Sequence, residues 1–311
     1  MTVPQAVVLE RNKLVIRRIA RVLGCAGFEV KTFEEPEKVE AAVLEAATLV
    51  MADAFDADLV MKWLRLHPRL KAALYSGEPV DRLLGKALEE PRLVALIGRP
   101  SFDVPPREDD LLHIARRTVS TEAAPFEAHL SWGAAGFAYS LTDAKGRDHA
   151  VQETMAFAGK LGAPKRVGEM LGELSHELIM NALYDAPVDE FGKPRFAHDR
   201  KAEIALGAED AAVYRCGSDG VRIACEVVDH FGRLERKHVF GGLVRGLKAG
   251  QMDTAGGGAG LGMLVSYRST TALFFDVEKN LRTRVTALFD LDLNLREFRL
   301  LPKTIHFPEG P

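Results

Sequence analysis

Four polar residues recur at every fourth position of one helix-like segment, GELSHELIMNALYDA. They are Glu173, Glu177, Asn181 and Asp185, and this spacing places them on one face of a helix. A carboxylate can serve as a general base, and the carbonyl oxygen of an Asn side chain suits a hard cation such as Mg²⁺. The alternative is a solvated helix face, although Asn inside a helix costs roughly a few tenths of a kcal/mol relative to Ala.

A glycine-rich stretch, GGGAGLG at positions 256–262, is the second candidate, because glycine lets a backbone approach a phosphate closely. It is not a P-loop, since Met263 follows Gly262 where that motif requires Lys. It is not a dinucleotide fingerprint either, because Met263 and Leu261 stand where the third glycine is needed. A phosphate at this stretch would therefore need a different kind of fold.

Residues 1–119 alternate short apolar runs with amphipathic helical runs, which predicts parallel βαβ units and an α/β doubly wound sheet. The predicted strands are AVVLE, FEVKTF, TLVMAD, KAALYS and LVALIG. In such a sheet the working residues lie at the carboxyl ends of the strands. Those ends carry Glu10-Arg11, Asp53, Ser76 and Arg99.

This pattern resembles the receiver domain of two-component signalling. The resemblance implies that Asp53 is the phosphoacceptor position, Ser76 the hydroxyl position and Arg99 the position of a lysine. The family holds Mg²⁺ with an acidic pair, which here reads Glu10-Arg11. Because a cation at Arg11 should repel Mg²⁺, we expect a pseudo-receiver, a docking module that is not phosphorylated. The alternative for Asp53 is a residue that ends a strand and caps a turn.

A short polar segment at 120–126 predicts a linker to a second domain at 127–300, followed by a C-terminal tail at 301–311. The predicted helices of this domain span 147–161, 165–186 and 235–247. They accompany strands that pair in an antiparallel or mixed sheet, which is an α+β arrangement. The turn between the strands AAVYRC and VRIACEVVD would place Cys216 opposite Val221.

The Asn segment, an Asp after a strand and a glycine box that opens a helix resemble, in this order, the GHKL superfamily of ATP-binding domains. That superfamily includes histidine kinases, anti-sigma-factor kinases, gyrase B, MutL and heat-shock ATPases, and its Bergerat-type fold places helices on a mixed sheet. The resemblance implies ATP and Mg²⁺ as cofactors, with Asn181 as the Mg²⁺ ligand and Glu177 as the general base. It also implies that Asp229 accepts a hydrogen bond from the adenine amino group. The further nucleotide contacts that it implies are Asp185, Gly232, Gly258, Gly260, Leu261, Gly262 and Thr286.

Two features depart from the family pattern. The first glycine box, D-x-G-x-G in the family, reads DHFGR at 229–233, and Asp185 stands where the anti-sigma-factor kinases carry His. Asp229 therefore has a second interpretation, as a residue of a strand-end turn. The segment 233–255 is rich in Arg, Lys and Gly, and it serves either as a lid over the phosphates or as a solvated surface helix.

The composition and net charge limit the partners and the cellular compartment that we expect for this protein. The formal net charge of −3 gives no field that favours nucleic acid or an anionic membrane. No apolar run reaches the roughly 20 residues of a membrane span, and the N-terminus lacks the pattern of a signal peptide. The sequence has three cysteines and no C-x-x-C motif. We expect Cys25, Cys216 and Cys225 to be buried thiols of a protein in a reducing compartment.

We therefore expect a cytoplasmic bacterial signalling protein that binds Mg-ATP and is regulated through its pseudo-receiver domain. The sequence leaves open whether it is a protein kinase or an ATPase, and whether it forms a homodimer. Its expected partner is an unidentified signalling protein, with no nucleic acid and no membrane insertion. The alternative is a non-catalytic interaction module in which nucleotide is absent or only structural.

Overall fold

The computed structural model describes residues 3–120, 122–197, 203–249 and 261–308. The chain divides into two compact units. Unit 1 comprises Met1–Ala124 and Leu300–Pro311, and unit 2 comprises Pro125–Arg299. Unit 2 is thus inserted in the sequence of unit 1. Within the described ranges, no helix is both long and apolar enough to cross a membrane.

Unit 1 contains a five-stranded parallel sheet that confirms the doubly wound prediction. Its strands are β1 (Gln5–Leu9), β2 (Glu29–Phe33), β3 (Leu49–Asp53), β4 (Lys71–Ser76) and β5 (Leu93–Gly98). They lie in the order β2-β1-β3-β4-β5, one of the two common doubly wound orders. All but β2 are almost wholly buried, which explains why each reads as a continuous apolar run.

Four helices connect these strands, and a fifth follows β5. They are α1 (Lys13–Cys25), α2 (Ala41–Ala46), α3 (Ala57–Leu66), α4 (Leu84–Glu89) and α5 (Glu108–Val119). The side chain of Asn12 caps α1 by accepting from the backbone N–H groups of Leu14 and Val15 at 2.9 and 3.3 Å. The apolar stripes of α1 and α5 pack together on one face of the sheet. Cys25, at the end of α1, is exposed, so the prediction of a buried thiol there is wrong.

Unit 2 contains a five-stranded antiparallel sheet with helices. This agrees with the predicted α+β class and does not assign a particular fold. Its strands are β6 (Ala135–Leu141), β7 (Ala212–Ser218), β8 (Arg222–Asp229), β9 (Ala272–Glu278) and β10 (Arg282–Asp290). They lie in the order β9-β10-β8-β7-β6. The helices are α6 (Ala144–Lys160), α7 (Lys165–Met180), α8 (Arg236–Ala249), α9 (Leu261–Arg268) and α10 (Leu295–Leu300).

A buried hydroxyl network holds α6 and α7 on one face of this sheet. The Tyr214 hydroxyl on β7 lies 2.7 Å from the hydroxyls of both Thr154 on α6 and Ser175 on α7. Leu171 and Leu174 of α7 are fully buried, as the apolar stripe predicted. Because side chains alternate along a strand, this network identifies which residues of β7 and β8 face the helices.

The hairpin between β7 and β8 has a different register from the predicted one. Cys216 lies opposite Cys225, with the two sulfur atoms 3.9 Å apart, and not opposite Val221. The turn is centred later in the chain than expected, because the Asp219 carboxylate accepts from the backbone N–H groups of two following residues. Gly220 supplies the positive φ of 87° that this turn requires.

The chain returns to unit 1 as the strand β11 (Thr304–His306), which pairs antiparallel with β5. The Thr304 hydroxyl accepts a hydrogen bond from the backbone N–H of Gly98 at 3.1 Å. A Cβ atom at Gly98 would overlap the carbonyl oxygen of Pro302, so only glycine permits this approach. Residues 302–308 are all buried. The segment expected to be a C-terminal tail therefore contributes a strand to unit 1.

Candidate functional site

The helix that carries the polar stripe ends differently from the prediction. It is α-helical only to Met180, and Asn181–Asp185 forms a π-helical turn in which Ala186 N donates to Asn181 O at 2.9 Å. A π turn holds more residues than an α-helical one, so Asp185 leaves the four-residue repeat that Glu177 and Asn181 still share. Single π turns are frequent at functional sites. Asn181 is half-buried, and its segment packs against β8.

Glu177 lies against the first turn of α9, the helix that follows the glycine stretch. A Cβ atom at Gly262 would overlap the Oε2 atom of Glu177, so the carboxylate and this backbone are in close contact. Oε2 is buried and has no hydrogen-bond partner within the described ranges. A buried carboxylate oxygen without a donor is costly, and the partial positive charge of a helix N-terminus offsets part of that cost. This oxygen can therefore accept from a bound ligand or water.

A cleft of about 440 Å³ opens beside Glu177 between α6, α7 and α9. Its acidic side is formed by Glu169, Glu173 and Glu177, and its apolar side includes Met155 and Val265. Asn181 and Asp229 do not line it. Of the predicted site residues, the cleft thus contacts only the candidate base.

Asp229 ends β8 on the sheet face that carries α7, because it follows Cys225 and Val227 at alternate positions. It is buried, and its Oδ1 atom accepts from Phe231 N at 2.9 Å and from Gly232 N at 3.2 Å. Burial raises the pKa of Asp229, and these backbone hydrogen bonds oppose the rise. The side chain thus forms the strand-end turn of the second interpretation while lying on the face that the nucleotide hypothesis requires.

The backbone conformation at position 232 explains why this residue is a glycine. It has a positive φ of 59°, and a Cβ atom there would overlap the carbonyl oxygen of Glu278. Its own carbonyl accepts from Asn280 N at 3.2 Å. The backbone of Gly232 therefore packs against the β9–β10 turn, and its expected contact with a nucleotide stays a prediction.

Thr286 does not lie beside Asp229, the predicted adenine contact. Its hydroxyl donates to Glu226 Oε2 at 3.0 Å, and Glu226 is its neighbour across β8. Because Glu226 and Asp229 are three residues apart on one strand, they face opposite sides of the sheet. The neighbour of Asp229 on β10 is Thr283. Thr283 is thus the threonine that lies beside the candidate adenine contact, and the alternation of strand residues could have identified it.

Within the predicted lid segment 233–255, the residues Arg236–Ala249 form the helix α8, and 250–255 lie outside the described residues. Its first residue, Arg236, is buried with its guanidinium 5.0 Å from the ring of Phe240, so it is part of the packing. Burial lowers the pKa of His238 on α8, and the nearby charges of Glu235 and Asp185 oppose this shift. Arg245 and Lys248 are exposed and available to solvent anions.

The structure describes only the last two residues of the glycine stretch 256–262. Gly258 and Gly260 lie outside the described residues, whereas Leu261 and Gly262 open α9. The Leu261 side chain is 62% exposed. Of the predicted nucleotide contacts in this stretch, the structure thus places Gly262 beside Glu177 and Leu261 at the surface.

The carboxyl edge of the unit 1 sheet contains a buried ion cluster. Arg99 contacts Glu10 Oε2 through Nη1 at 3.0 Å and Asp53 Oδ2 through Nη2 at 2.6 Å. All three side chains are buried, and the guanidinium lies 4.9 Å from the ring centre of Tyr75. The position that resembles the receiver lysine therefore holds an arginine that bridges both acids of the pocket.

Arg11 lies outside this cluster. It makes two hydrogen bonds with Asp56, at 2.6 and 2.9 Å, and its side chain is half exposed. Arg99 and not Arg11 makes the direct contacts with both acids of the pocket, and the expected repulsion of Mg²⁺ by Arg11 stays a prediction. Ser76 faces the same edge, and its hydroxyl accepts from Glu78 N at 3.0 Å.

The acidic pocket of unit 1 does not fit a Mg²⁺ ion. Glu10 Oε1 accepts from Asn12 N at 2.9 Å, and Asp53 Oδ1 accepts from Phe55 N at 2.8 Å. Since Arg99 takes the second oxygen of each carboxylate, all four oxygens already have donors. The guanidinium of Arg99 bridges the two carboxylates, and its positive charge opposes a Mg²⁺ ion at the same oxygens. Across the described part of the chain, no group of three or more His, Cys, Asp or Glu residues could hold a metal ion.

The chain has only weak similarity to known proteins. No protein-family model matches the chain, and no curated protein matches it. A solved response regulator from Thermotoga maritima is similar over 38% of this chain and 98% of its own length, with 18% identity and a TM-score of 0.32. A GCN5-related glucosamine N-acetyltransferase region of a fungal multi-domain GH3 β-N-acetylglucosaminidase is similar over 73% of this chain and 24% of its own, with 12% identity and a TM-score of 0.26. The chain thus has a weak, partial similarity to a response regulator, and neither likeness assigns an activity.

Proposed function

We propose that this protein is a cytoplasmic bacterial signalling protein that binds Mg-ATP through unit 2, as a GHKL-type domain of Bergerat fold, and is regulated through unit 1. In this proposal unit 1 is a pseudo-receiver that recognises a partner protein. The observation that carries it is the contact between Glu177 and the start of α9. It supports a site at the end of the glycine stretch, where a buried carboxylate oxygen has no donor among the described residues.

Each residue has a stated task in this proposal. Bound Mg-ATP would supply a phosphoryl group whose charge the metal neutralises. Asn181 would hold the metal through its side-chain oxygen. Glu177 would accept a proton from a hydroxyl group or water at Oε2, as a general base. Asp229, with Thr283 beside it, would accept from the amino group of adenine.

A calorimetric titration of the full chain with ATP and Mg²⁺ tests the proposal. Glu177→Gln keeps the shape of the side chain, so we expect nearly unchanged affinity and a loss of turnover of roughly 10² to 10⁴-fold. Asn181→Ala should weaken the Mg²⁺-dependent affinity, because it removes a metal ligand. Glu127→Gln, the same change at an exposed residue of unit 2 that does not line the cleft, is the matched control and should change neither quantity. Absence of any binding heat at millimolar ATP would reject the proposal.

A second candidate, a non-catalytic docking module, is favoured by the surface around the ion cluster of unit 1. Leu14, Phe55 and Phe102 follow β1, β3 and β5, and their side chains are 74%, 81% and 49% exposed. These are the strands whose ends carry Glu10, Asp53 and Arg99, which pair with one another. Exposed apolar side chains grouped at one edge are typical of protein contacts. This candidate predicts no nucleotide binding and loss of partner capture in Phe55→Ser, whereas nucleotide binding would favour the first proposal.

A further inference from the structure

The strand β6 ends the sheet of unit 2 and has one open edge. It pairs with β7 from Ala135 opposite Ser218 to Leu141 opposite Ala212. In the parts of the chain that the structure describes, no strand pairs with its other side. Ala138 and Ser140 are exposed. Among the described residues, the outer backbone groups of β6 therefore have no strand partner.

This edge lacks the features that usually prevent strand pairing. Residues 128–142 contain no Lys, Arg, Asp, Glu or Pro, in a chain that is 27% charged. The register of β6 against β7 runs without a bulge. Natural proteins protect an open edge with charges, proline or bulges, because an unprotected edge pairs with other chains. The side chain of Trp132, three residues before β6, is fully exposed. These properties indicate that another strand covers the edge.

The composition of β6 suits a second copy of the same strand. An antiparallel pair with a two-fold axis at Ala138 places Ala138 opposite itself and Phe137 opposite Tyr139 of the second copy. Aromatic cross-strand pairs of this kind stabilise antiparallel sheets. Within one copy, the ring of Phe137 already lies 5.4 Å from that of Tyr139 and 5.7 Å from that of Phe157. The new pairs would extend this aromatic cluster, and no charge would oppose a like charge.

We infer that β6 forms an antiparallel pair with β6 of a second copy, so that two copies of unit 2 share one sheet as a homodimer. A two-fold interface uses the same surface on both subunits, and such dimers are the commonest homo-oligomers. The inference uses no nucleotide contact, so it stands or falls separately from the proposed ATP site.

Sedimentation velocity of the full chain over a range of concentrations tests the dimer. The wild type should show twice the chain mass, whereas Ala138→Lys and Ala138→Glu should each reduce it to one chain, because the axis brings two like charges together. An equimolar mixture of the two variants should restore the dimer, since the charges then attract. Ala42→Lys, the same change at an exposed position of α2, is the matched control and should remain dimeric.

Crosslinking tests the register. In a Cys25→Ser background, which removes the exposed thiol, Ala138→Cys should form a covalent dimer under copper-catalysed air oxidation, and Ser140→Cys should form much less, because it faces Gly136 of the second copy. A wild type that is monomeric at every concentration would overturn the inference. So would a dimer that survives both charge variants, while circular dichroism shows that they are folded.

Discussion

Replacing Arg99 by Gln should leave Glu10 and Asp53 buried without their cation. The wild-type guanidinium contacts these carboxylates at 3.0 and 2.6 Å, and it is only 2% exposed. Removing one member of a buried ion cluster costs about 3 to 5 kcal/mol, because the remaining charge stays uncompensated. We expect Arg99→Gln to lower the free energy of unfolding of unit 1 by that amount at neutral pH.

Trp63 provides the assay. It is buried in α3 of unit 1, and the chain has only one other tryptophan, the exposed Trp132 of unit 2. Urea unfolding followed by Trp63 fluorescence in a Trp132→Phe background therefore reports on unit 1. Arg11→Gln is the matched control, because its half-exposed side chain forms an ion pair worth about 0 to 1 kcal/mol.

Mg²⁺ separates the roles of the two arginines further. In Arg99→Gln the freed oxygens of Glu10 and Asp53 can bind the ion, and saturation at a hundred times Kd would restore about 2.7 kcal/mol. Neither the wild type nor Arg11→Gln should respond. The reasoning would be refuted if Arg99→Gln cost no more than Arg11→Gln, or if Mg²⁺ stabilised the wild type equally.

Three further expectations concern single residues elsewhere. Burial raises the pKa of Asp229 above its ordinary 3.8, so its charge destabilises the folded state at neutral pH. The variant Asp229→Asn should therefore melt at or above the wild-type temperature at pH 7, and the difference should vanish below about pH 4, where Asp229 is protonated. A lower melting temperature of the variant at pH 7 would contradict this. Gly232→Ala should lose roughly 2 kcal/mol or more in urea unfolding, because φ is 59° and its Cβ would overlap a backbone carbonyl. In the folded protein a thiol reagent should titrate Cys25 alone, and rapid labelling of Cys216 or Cys225 would show that the hairpin opens.

The sequence was sufficient to predict the strands of unit 1, because buried parallel strands are continuous apolar runs separated by amphipathic helices. It also placed Arg11 and Arg99 directly after strands. It could not decide which arginine enters the acidic pocket. That choice depends on Asp56, which lies one turn beyond Asp53 and binds Arg11 at the surface.

In unit 2 the sequence predicted the helices α6, α7 and α8 and the hairpin, but not α10 and not the register of the hairpin. Gly217 and Gly220 both suit a turn, and the spacing of the strands alone does not choose between them. The Asp219 side chain selects the later turn through two backbone hydrogen bonds. The pairing of Thr286 with Glu226 follows from the alternation of side chains along strands, which a list of motifs does not contain.

The insertion of unit 2 into unit 1 has a consequence for synthesis on the ribosome. Gly98 on β5 and Thr304 at the start of β11 are hydrogen-bonded although 206 residues separate them. At roughly 5 to 20 residues per second, β5 waits on the order of ten seconds or more for the strand that covers it. All of unit 2 emerges during that interval. The residues made first therefore reach their final fold only after the inserted unit has been translated, and a chain interrupted within unit 2 leaves β5 uncovered.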